Sequence, residues 1–289
     1  KADYYKFIRA VIASKPHITI DDGCDVVSEI HLKHKELIPQ ILGGCEETTT
    51  GINRLKAMEA DGALKYPMIA VNDNRTKHLF DNYYGTGQST WDGILRATNI
   101  LIAGKTVVVA GYGDCSRGIA NRAAGLGAKV IVMEIDPVRA LQAFMDGYRV
   151  MKMENAAPLG DLFITATGGK HIISTSHMKK MKSGAIMANS GHFNVEIDVE
   201  GLNKMATRKK LIRPFAEEFQ IGTGSNAKNI YLLGEGRLIN LAAAEGHPSE
   251  VMAMSFCGQA LACEWLVRQR GKLESKVYTL PQVIDDAIA

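Results

Sequence analysis

The chain has 289 residues, of which 46% are hydrophobic, and this composition is typical of one large folded domain or two moderate ones. The 34 Lys and Arg residues nearly balance the 31 Asp and Glu residues, giving a net charge of +3. No basic block is long enough to indicate nucleic-acid binding, and no apolar stretch is long enough to span a bilayer. No signal-peptide pattern stands at Lys1. From these three observations together we expect neither a nucleic-acid nor a membrane partner.

Cysteine and histidine usage argues against a metal centre. The five cysteines are odd in number and lack Cys-x-x-Cys spacing, so the sequence predicts neither a disulfide framework nor a zinc site. The histidines lack metal-ligand spacing, and we expect no metal. A reducing cytoplasm fits this composition best.

The first part of the chain alternates helical periodicity with short apolar runs. The pattern predicts helices over residues 4–13, 26–34 and 52–61, strands over 17–20 and 67–71, and a polar loop over 46–51.

From residue 100 to about 241, apolar runs of strand type alternate with helical segments. The predicted strands cover residues 106–110, 130–134, 162–165, 185–188 and 230–234. This alternation predicts an α/β fold with a doubly wound parallel sheet. A long helix is then predicted over residues 249–268, with Met252, Phe256 and Leu261 on its buried face.

A glycine turn follows the first of these strands and predicts a dinucleotide-binding unit. Gly111 permits a tight turn, and Gly113 lets the backbone approach a pyrophosphate at the N-terminus of the next helix. Glu134, at the end of the second strand, is placed to bind the ribose hydroxyls and favours NAD over NADP. Ser116 occupies the third glycine position, and Gly118 follows it. The alternative is a structural turn without a cofactor.

Polar residues collect at the ends of the predicted strands, where α/β sheets hold their functional groups. Asp22, Glu47, Lys77 and Asp81 are groups suited to acid/base work on a sugar hydroxyl and its neighbouring carbon. Three of them have a simpler interpretation. Asp22 could belong to a turn, and Lys77 and Asp81 could be a surface pair four residues apart on a helix.

Several further candidates also have a plain structural interpretation. Thr48, Thr49 and Thr50 could cap the helix that follows them. His192 and His247 could be solvated loop residues.

The sequence closely resembles the S-adenosylhomocysteine hydrolase (adenosylhomocysteinase) family. The resemblance rests on blocks in family order over nearly the whole chain, at residues 21–25, 46–51, 72–77, 80–89, 103–105, 111–114, 191–193, 235–241 and 246–249. The form is similar to the shorter prokaryotic branch, in which Thr86 stands in place of a cysteine.

The resemblance implies a mechanism in which tightly bound NAD is reduced and reoxidised within one turnover. Oxidation at C3′ of the nucleoside acidifies the C4′ proton, homocysteine is eliminated, water adds at C5′, and the hydride returns. The implied substrate is a nucleoside thioether, and the implied assembly is a homo-oligomer, a tetramer in the family.

The resemblance also assigns roles by position. The implied catalytic residues are Asp22, Lys77, Asp81, His192 and His247. The implied substrate-binding residues are the same five together with Glu47 and Thr86. The implied cofactor-binding residues are Thr48, Thr49, Thr50, Asn82, Gly111, Gly113, Asp114, Glu134, Thr167, Asn189, Gly191, His192, Asn240 and His247.

Two family elements have no match. One is an upstream His-x-Thr-x-Glu/Gln segment that grips the adenine and sugar, and the other is a C-terminal arm whose Lys and Tyr reach the NAD of a neighbouring subunit. We therefore expect a fragment, a processed form or a divergent member. The base remains open between adenine and hypoxanthine. The sequence also leaves open a dehydrogenase of hydroxy-acid type and a non-catalytic NAD- or nucleoside-binding remnant.

The expected organisation is an NAD-binding Rossmann domain inserted into a second α/β domain that binds substrate. The NAD domain covers residues 88–243, and the substrate domain comprises residues 1–87 and 244–289. Hinges are expected near residues 84–88 and 244–248, and their closure would exclude water.

Overall fold

The computed structural model describes residues 2–289. It divides into two compact units, each with its own core. Unit 1 comprises Lys1–Phe80 and Ser249–Ala289, and unit 2 comprises Asp81–Pro248.

The helices vary from single turns to twenty residues. In chain order they are α1 (Ala2–Ala13), α2 (Asp25–Lys33), α3 (Thr49–Ala60), α4 (Arg75–Lys77), α5 (Thr86–Thr98), α6 (Asp114–Gly125), α7 (Pro137–Met145), α8 (Met153–Ala156), α9 (Thr175–Lys180), α10 (Val199–Met205), α11 (Ile239–Ala242), α12 (Ser249–Arg268) and α13 (Gln282–Ile288). A π-helix, His78–Gly85, joins α4 to α5.

The strands are short except at one edge of the larger sheet. In chain order they are β1 (Ile18–Asp21), β2 (Gly43–Glu46), β3 (Met68–Ala70), β4 (Thr106–Ala110), β5 (Lys129–Met133), β6 (Arg149–Val150), β7 (Leu162–Thr165), β8 (Ile186–Asn189), β9 (Ala206–Arg213), β10 (Ala216–Ile221), β11 (Lys228–Leu233) and β12 (Val277–Tyr278).

Unit 1 contains a four-stranded parallel sheet in the order β1-β2-β3-β12. On one side, α12 packs through Ala262 and Leu266 onto Cys45, Ile69 and neighbouring apolar residues. A second apolar cluster gathers residues of α1, α2 and α3. The carboxyl ends of β1 and β2 lie side by side, because Asp21 and Glu46 are register partners.

Unit 2 contains an eight-stranded sheet in the order β6-β5-β4-β7-β8-β11-β10-β9. The six strands from β6 to β11 are parallel, and the chain starts in the middle of the sheet and winds outward in both directions. The predicted α/β fold with a doubly wound parallel sheet is therefore confirmed. An antiparallel pair, β10 and β9, extends the sheet beyond β11.

The core of unit 2 explains why β4 is continuously apolar. Val107 and Val109 face one apolar cluster, whereas Val108 and Ala110 face another on the opposite side of the sheet. A strand covered on both faces has no solvent side to carry polar residues. Its C-terminal end delivers the chain directly into Gly111.

Two sequence predictions about local structure are wrong. The polar loop predicted over residues 46–51 is too long, since Glu46 ends β2, α3 begins at Thr49, and the loop between them consists of Glu47 and Thr48. The predicted buried face of α12 is also wrong, because Phe256 is 60% exposed. The buried face instead carries Ser255, Gly258, Gln259, Ala262 and Leu266. Small residues permit close packing there, and the two polar side chains have bonding partners in unit 1.

Candidate active site

Glu46 ties together the loops that follow β1 and β2. Its carboxylate accepts hydrogen bonds from the backbone N–H groups of Gly23 at 2.8 Å, Cys24 at 2.9 Å and Thr48 at 3.0 Å. Burial raises the pKa of Glu46 to about 8, although the hydrogen bonds from Gly23 and Thr48 act in the opposite direction. Sequence reasoning gave Glu46 no role, and the structure shows that it anchors this edge of the sheet.

Glu47 and Lys77 form an ion pair within unit 1. The Lys77 Nζ lies 3.5 Å from Oε1 of Glu47, and both side chains are largely shielded from solvent. The same Nζ donates to Oδ1 of Asn72 at 3.1 Å. The amide of Asn72 donates in turn to Thr49 at 3.0 Å. A lysine held in this way has a fixed position and a defined charge partner.

The helix α12 supplies two further partners for Glu47. Ser255 Oγ donates to Oε1 of Glu47, and Gln259 Nε2 donates to Oε2. The carbonyl oxygen Oε1 of Gln259 is buried and has no hydrogen-bond partner among the described residues. It is a ready acceptor for a polar ligand group. Sequence reasoning missed Ser255, Gln259 and the Asn72 contact.

Asp81, His247 and Thr86 meet within unit 2. The ring Nδ1 of His247 contacts Oδ1 of Asp81, and Nε2 lies 3.3 Å from Oγ1 of Thr86. Because Nδ1 faces a carboxylate, we assign the ring proton of His247 to Nδ1. The other nitrogen, Nε2, is the one beside the Thr86 hydroxyl. Thr86 Oγ1 also lies 3.5 Å from Sγ of Cys115. The structure therefore joins three of the predicted site residues.

Three structural interpretations raised by the sequence are wrong. Lys77 is 5% exposed and Asp81 is 2% exposed, so neither belongs to a solvated surface pair. Thr48 stands at the N-cap of α3, but its side chain makes no capping hydrogen bond. His247 is only partly exposed and is held by Asp81, so it is not a freely solvated loop residue.

The glycine turn of unit 2 has two glycines with different reasons for lacking a side chain. Gly111 has φ +96°, a left-handed conformation that favours glycine. Gly113 has an ordinary extended conformation, and a Cβ there would meet nothing closer than the Arg139 guanidinium at 3.6 Å. The protein itself does not require glycine at this position. The space beside Gly113 is open to a ligand at the N-terminus of α6.

Ser116 fits the turn without disturbing it. Its side chain is fully buried, and the hydroxyl donates to the Ala166 carbonyl at 2.8 Å. At Gly118, in the first turns of α6, the helix backbone lies close to the backbone of Tyr83. A Cβ at this position would lie 1.9 Å from the Tyr83 carbonyl oxygen. The serine is thus a bridge between the ends of β4 and β7 and leaves the turn intact.

Glu134 braces the glycine turn from the end of β5. Its Oε2 accepts from the backbone N–H of Tyr112 at 2.7 Å. Its Oε1 accepts from Ile135 at 2.7 Å and Asp136 at 3.0 Å. The carboxylate therefore lies against the turn and fixes its conformation. The predicted contact of Glu134 with the ribose of a cofactor stays a prediction.

Asn189 is a hydrogen-bonding hub at the end of β8. Its Nδ2 donates to the carbonyls of Gly191, Phe193 and Gly236, and its Oδ1 accepts from Gly191 N and Thr165 Oγ1. This network shapes the loop that carries His192. The predicted direct contact of Asn189 with a cofactor stays a prediction.

Asn240 has an unsatisfied buried atom. Its Nδ2 donates to Ser89 Oγ at 3.1 Å, while its Oδ1 is buried without a hydrogen-bond partner among residues 2–289. Such an atom costs free energy unless a ligand or a water pairs with it. It is therefore a candidate acceptor for an amide group.

The remaining predicted residues lie at several places in their own units. Asp22 is exposed just beyond β1, and Thr49 and Thr50 begin α3. Asn82 is buried in the π-helix, and Asp114 begins α6. Thr167 donates through its backbone N–H and its hydroxyl to the buried Glu196. His192 is half-buried beside Phe193.

Neither a metal cluster nor a membrane span is found in the described part of the chain. Over residues 2–289, no three His, Cys, Asp or Glu side chains come together in a group that could hold a metal ion. No helix within the same range is long and apolar enough to cross a membrane.

Comparison with known proteins identifies the glycine-turn unit. Residues 82–246 match the family described as "S-adenosyl-L-homocysteine hydrolase, NAD binding domain". The chain belongs to the S-adenosyl-L-homocysteine hydrolase family. The cofactor of this family domain is NAD, and the space beside Gly113 and the unpaired oxygen of Asn240 fit such a group.

Relatives within the hydrolase family carry two different names. An S-inosyl-L-homocysteine hydrolase of Methanocaldococcus jannaschii is 59% identical over 99% of this chain and 68% of its own length. An adenosylhomocysteinase of Aquifex aeolicus is 58% identical over 99% of this chain and 68% of its own length. An adenosylhomocysteinase of Thermosynechococcus vestitus is 57% identical over the whole chain and 66% of its own length.

Proposed function

We propose that this protein hydrolyses the thioether of S-adenosyl-L-homocysteine to adenosine and homocysteine, reversibly and with NAD as a recycled cofactor. The observation that carries the proposal is the buried pair of Glu47 and Lys77, braced by Asn72, Ser255 and Gln259, in a chain that also contains the family's NAD-binding domain. A hydroxyl oxidation needs a positioned acid/base, and this pair supplies one.

The roles proposed for unit 1 follow from its contacts. Glu47 holds the ribose hydroxyls, since its carboxylate is fixed on two sides by α12. Lys77 is the acid/base group at the 3′ oxygen, because its Nζ is fixed beside Glu47 and Asn72. Its neutral amine takes the hydroxyl proton during oxidation, and the ammonium paired with Glu47 returns it on re-reduction. Asp22, exposed at the end of β1, moves the C4′ proton.

The roles proposed for unit 2 complete the reaction. The chemistry that bound NAD supplies is reversible hydride acceptance from C3′. Asp81 orients His247. These two residues and Thr86 together hold the sugar side of the substrate. His192 serves the departing sulfur and the incoming water. Asn82 keeps the nicotinamide and the substrate aligned, and Asn240 accepts a hydrogen bond from the nicotinamide amide.

The remaining cofactor contacts are proposed from the positions that these residues occupy in the family. They are Thr48, Thr49, Thr50, Gly111, Gly113, Asp114, Glu134, Thr167, Asn189, Gly191, His192 and His247.

The organisation proposed for catalysis assigns substrate binding to residues 1–87 and 244–289 and NAD binding to residues 88–243. Segments 84–88 and 244–248 act as hinges whose closure excludes water from the ketone. We further propose a cytoplasmic homo-oligomer, a tetramer as in the family. Light scattering of the purified protein would test the assembly, and a monomer at all concentrations would contradict it.

S-inosyl-L-homocysteine is the second candidate substrate, because a relative with that name is 59% identical. Purified protein is incubated separately with the adenosyl and inosyl thioethers, and homocysteine is measured with a thiol reagent. Release from the adenosyl compound at the higher kcat/KM supports the proposal. A higher kcat/KM for the inosyl compound would make S-inosyl-L-homocysteine the substrate instead. Release of homocysteine from neither compound would contradict the hydrolase function.

A further inference from the structure

Two thiols that the proposed reaction does not use lie side by side in unit 1. Sγ of Cys45 is 3.9 Å from Sγ of Cys263. Cys45 belongs to β2 and is fully buried, whereas Cys263 belongs to α12 and is partly exposed. Both elements are fixed by the shared apolar cluster that includes Ile69 and Leu266. Their separation is therefore set by the packing of the unit.

The two thiols are not equivalent. The hydrogen bond between the two thiols lowers the pKa of Cys263. The same bond, together with burial, raises the pKa of Cys45. Since the thiolate is the reactive form, Cys263 is the sulfur that reacts first, and it is also the one that solvent reaches.

We propose that Cys45 and Cys263 form a modification site that peroxide closes into a disulfide. The Cys263 thiolate attacks hydrogen peroxide and breaks the O–O bond, giving a sulfenic acid and hydroxide, which takes a proton to become water. The Cys45 sulfur, on losing its proton, attacks the sulfenic sulfur and displaces a second water. Two thiols are oxidised and one peroxide is reduced to two waters.

Closure of this disulfide changes the support of Glu47. A disulfide brings the sulfurs to about 2.05 Å, so closure must shorten the 3.9 Å separation by about half, through movement of β2, of α12 or of the two side chains. Glu47 follows Cys45 by two residues, and α12 also carries Ser255 and Gln259, which bond to Glu47. We expect oxidation to lower hydrolysis reversibly, and this consequence rests on the proposed function.

The chain offers an internal control on the same helix. Cys257 is exposed on α12, so peroxide reaches it as well. It is not one of the two thiols in contact, and Cys257→Ser leaves both of them in place. Cys45→Ser retains a hydroxyl that donates to Cys263 but cannot form a disulfide, whereas Cys45→Ala removes both functions.

Non-reducing peptide mapping of the purified protein after hydrogen peroxide tests the proposal without any activity assay. We expect a peptide linking Cys45 to Cys263, loss of both of these free thiols, and recovery of both with dithiothreitol. Cys257→Ser should give the same linkage. Cys45→Ser should give no linkage and should accumulate dimedone-reactive sulfenic acid at Cys263.

The pH dependence of alkylation tests the hydrogen bond separately. Labelling of Cys263 by iodoacetamide should reach its half-maximum at lower pH in the parent and in Cys45→Ser than in Cys45→Ala. Absence of the linked peptide in the folded parent, or linkage through Cys257 instead, would overturn the proposal. Linkage with unchanged hydrolysis would overturn only its consequence for Glu47.

Discussion

Lys77 and Glu47 are a shielded ion pair whose two ends are bonded to further polar side chains of unit 1. Neither residue can change position alone, because Asn72 holds the lysine and α12 holds the carboxylate. Mutations can therefore separate two effects. Replacing Lys77 removes the acid/base group, whereas replacing a residue of α12 removes a hydrogen bond that holds the Glu47 carboxylate.

Replacement of the lysine tests the acid/base role. Lys77→Met should lower kcat by at least ~10²-fold, because an acid/base group contributes about 10²–10⁴-fold. Bound NAD, measured after release from denatured protein, should be unchanged. Removal of one partner of a shielded pair also costs about 3 kcal/mol of unfolding free energy. Adding Glu47→Gln should restore most of that stability without restoring turnover, and unchanged turnover in Lys77→Met would remove the residue from its role.

Replacement of Ser255 tests the support for the carboxylate. Ser255→Ala removes a hydrogen bond to a charged group, worth about 1.5 kcal/mol, so KM should rise by roughly tenfold. Phe256→Ala, at an exposed position on the same helix, should leave KM unchanged. Steady-state kinetics on both variants would decide, and equal KM values would argue against Glu47 as a substrate ligand.

The two glycines around the start of α6 give opposite predictions. Gly113→Ala should weaken NAD binding by at least ~10-fold and change unfolding free energy by no more than about 0.5 kcal/mol, since the added methyl meets nothing closer than the Arg139 guanidinium at 3.6 Å. Gly118→Ala should destabilise the fold by about 1–3 kcal/mol, because its Cβ collides with the Tyr83 carbonyl. Urea unfolding and NAD titration measure both. Normal NAD affinity in Gly113→Ala would place the pyrophosphate elsewhere.

Ser116 is expected to matter for stability and not for the cofactor. Ser116→Ala removes the bond to the Ala166 carbonyl and should cost about 1 kcal/mol of unfolding free energy. NAD affinity should be within about twofold of the parent. A large loss of NAD affinity with unchanged stability would show that the hydroxyl serves the cofactor directly.

The sequence predicts the central strands well because their burial leaves a clear pattern. β4 and β7 match their predicted limits, since both are almost entirely apolar and buried. The pair β9–β10 is not predicted, because the charged, exposed residues of β9 carry no apolar pattern. The face of α12 is misplaced because Ser255 and Gln259 are polar and nevertheless buried.

The candidate site shows the same division. Short motifs indicate Glu47, Lys77 and Asp81, because their neighbours in sequence are distinctive. The partners of Glu47 lie 208 and 212 residues away, and only the packing of α12 on the sheet brings them to the carboxylate. No local spacing rule relates them. The structural role of Glu46 is not predicted, because the sequence does not show which of two adjacent glutamates is fully buried.

In the proposed reaction a hydride leaves C3′ and returns to it within one turnover. The most direct measurement uses S-adenosyl-L-homocysteine carrying deuterium at C3′, with mass spectrometry of the adenosine and a thiol assay for homocysteine. We expect stoichiometric thiol release, adenosine that retains its deuterium, and no accumulation of reduced NAD. Reduced NAD accumulating with substrate, or adenosine that has lost the label, would contradict it.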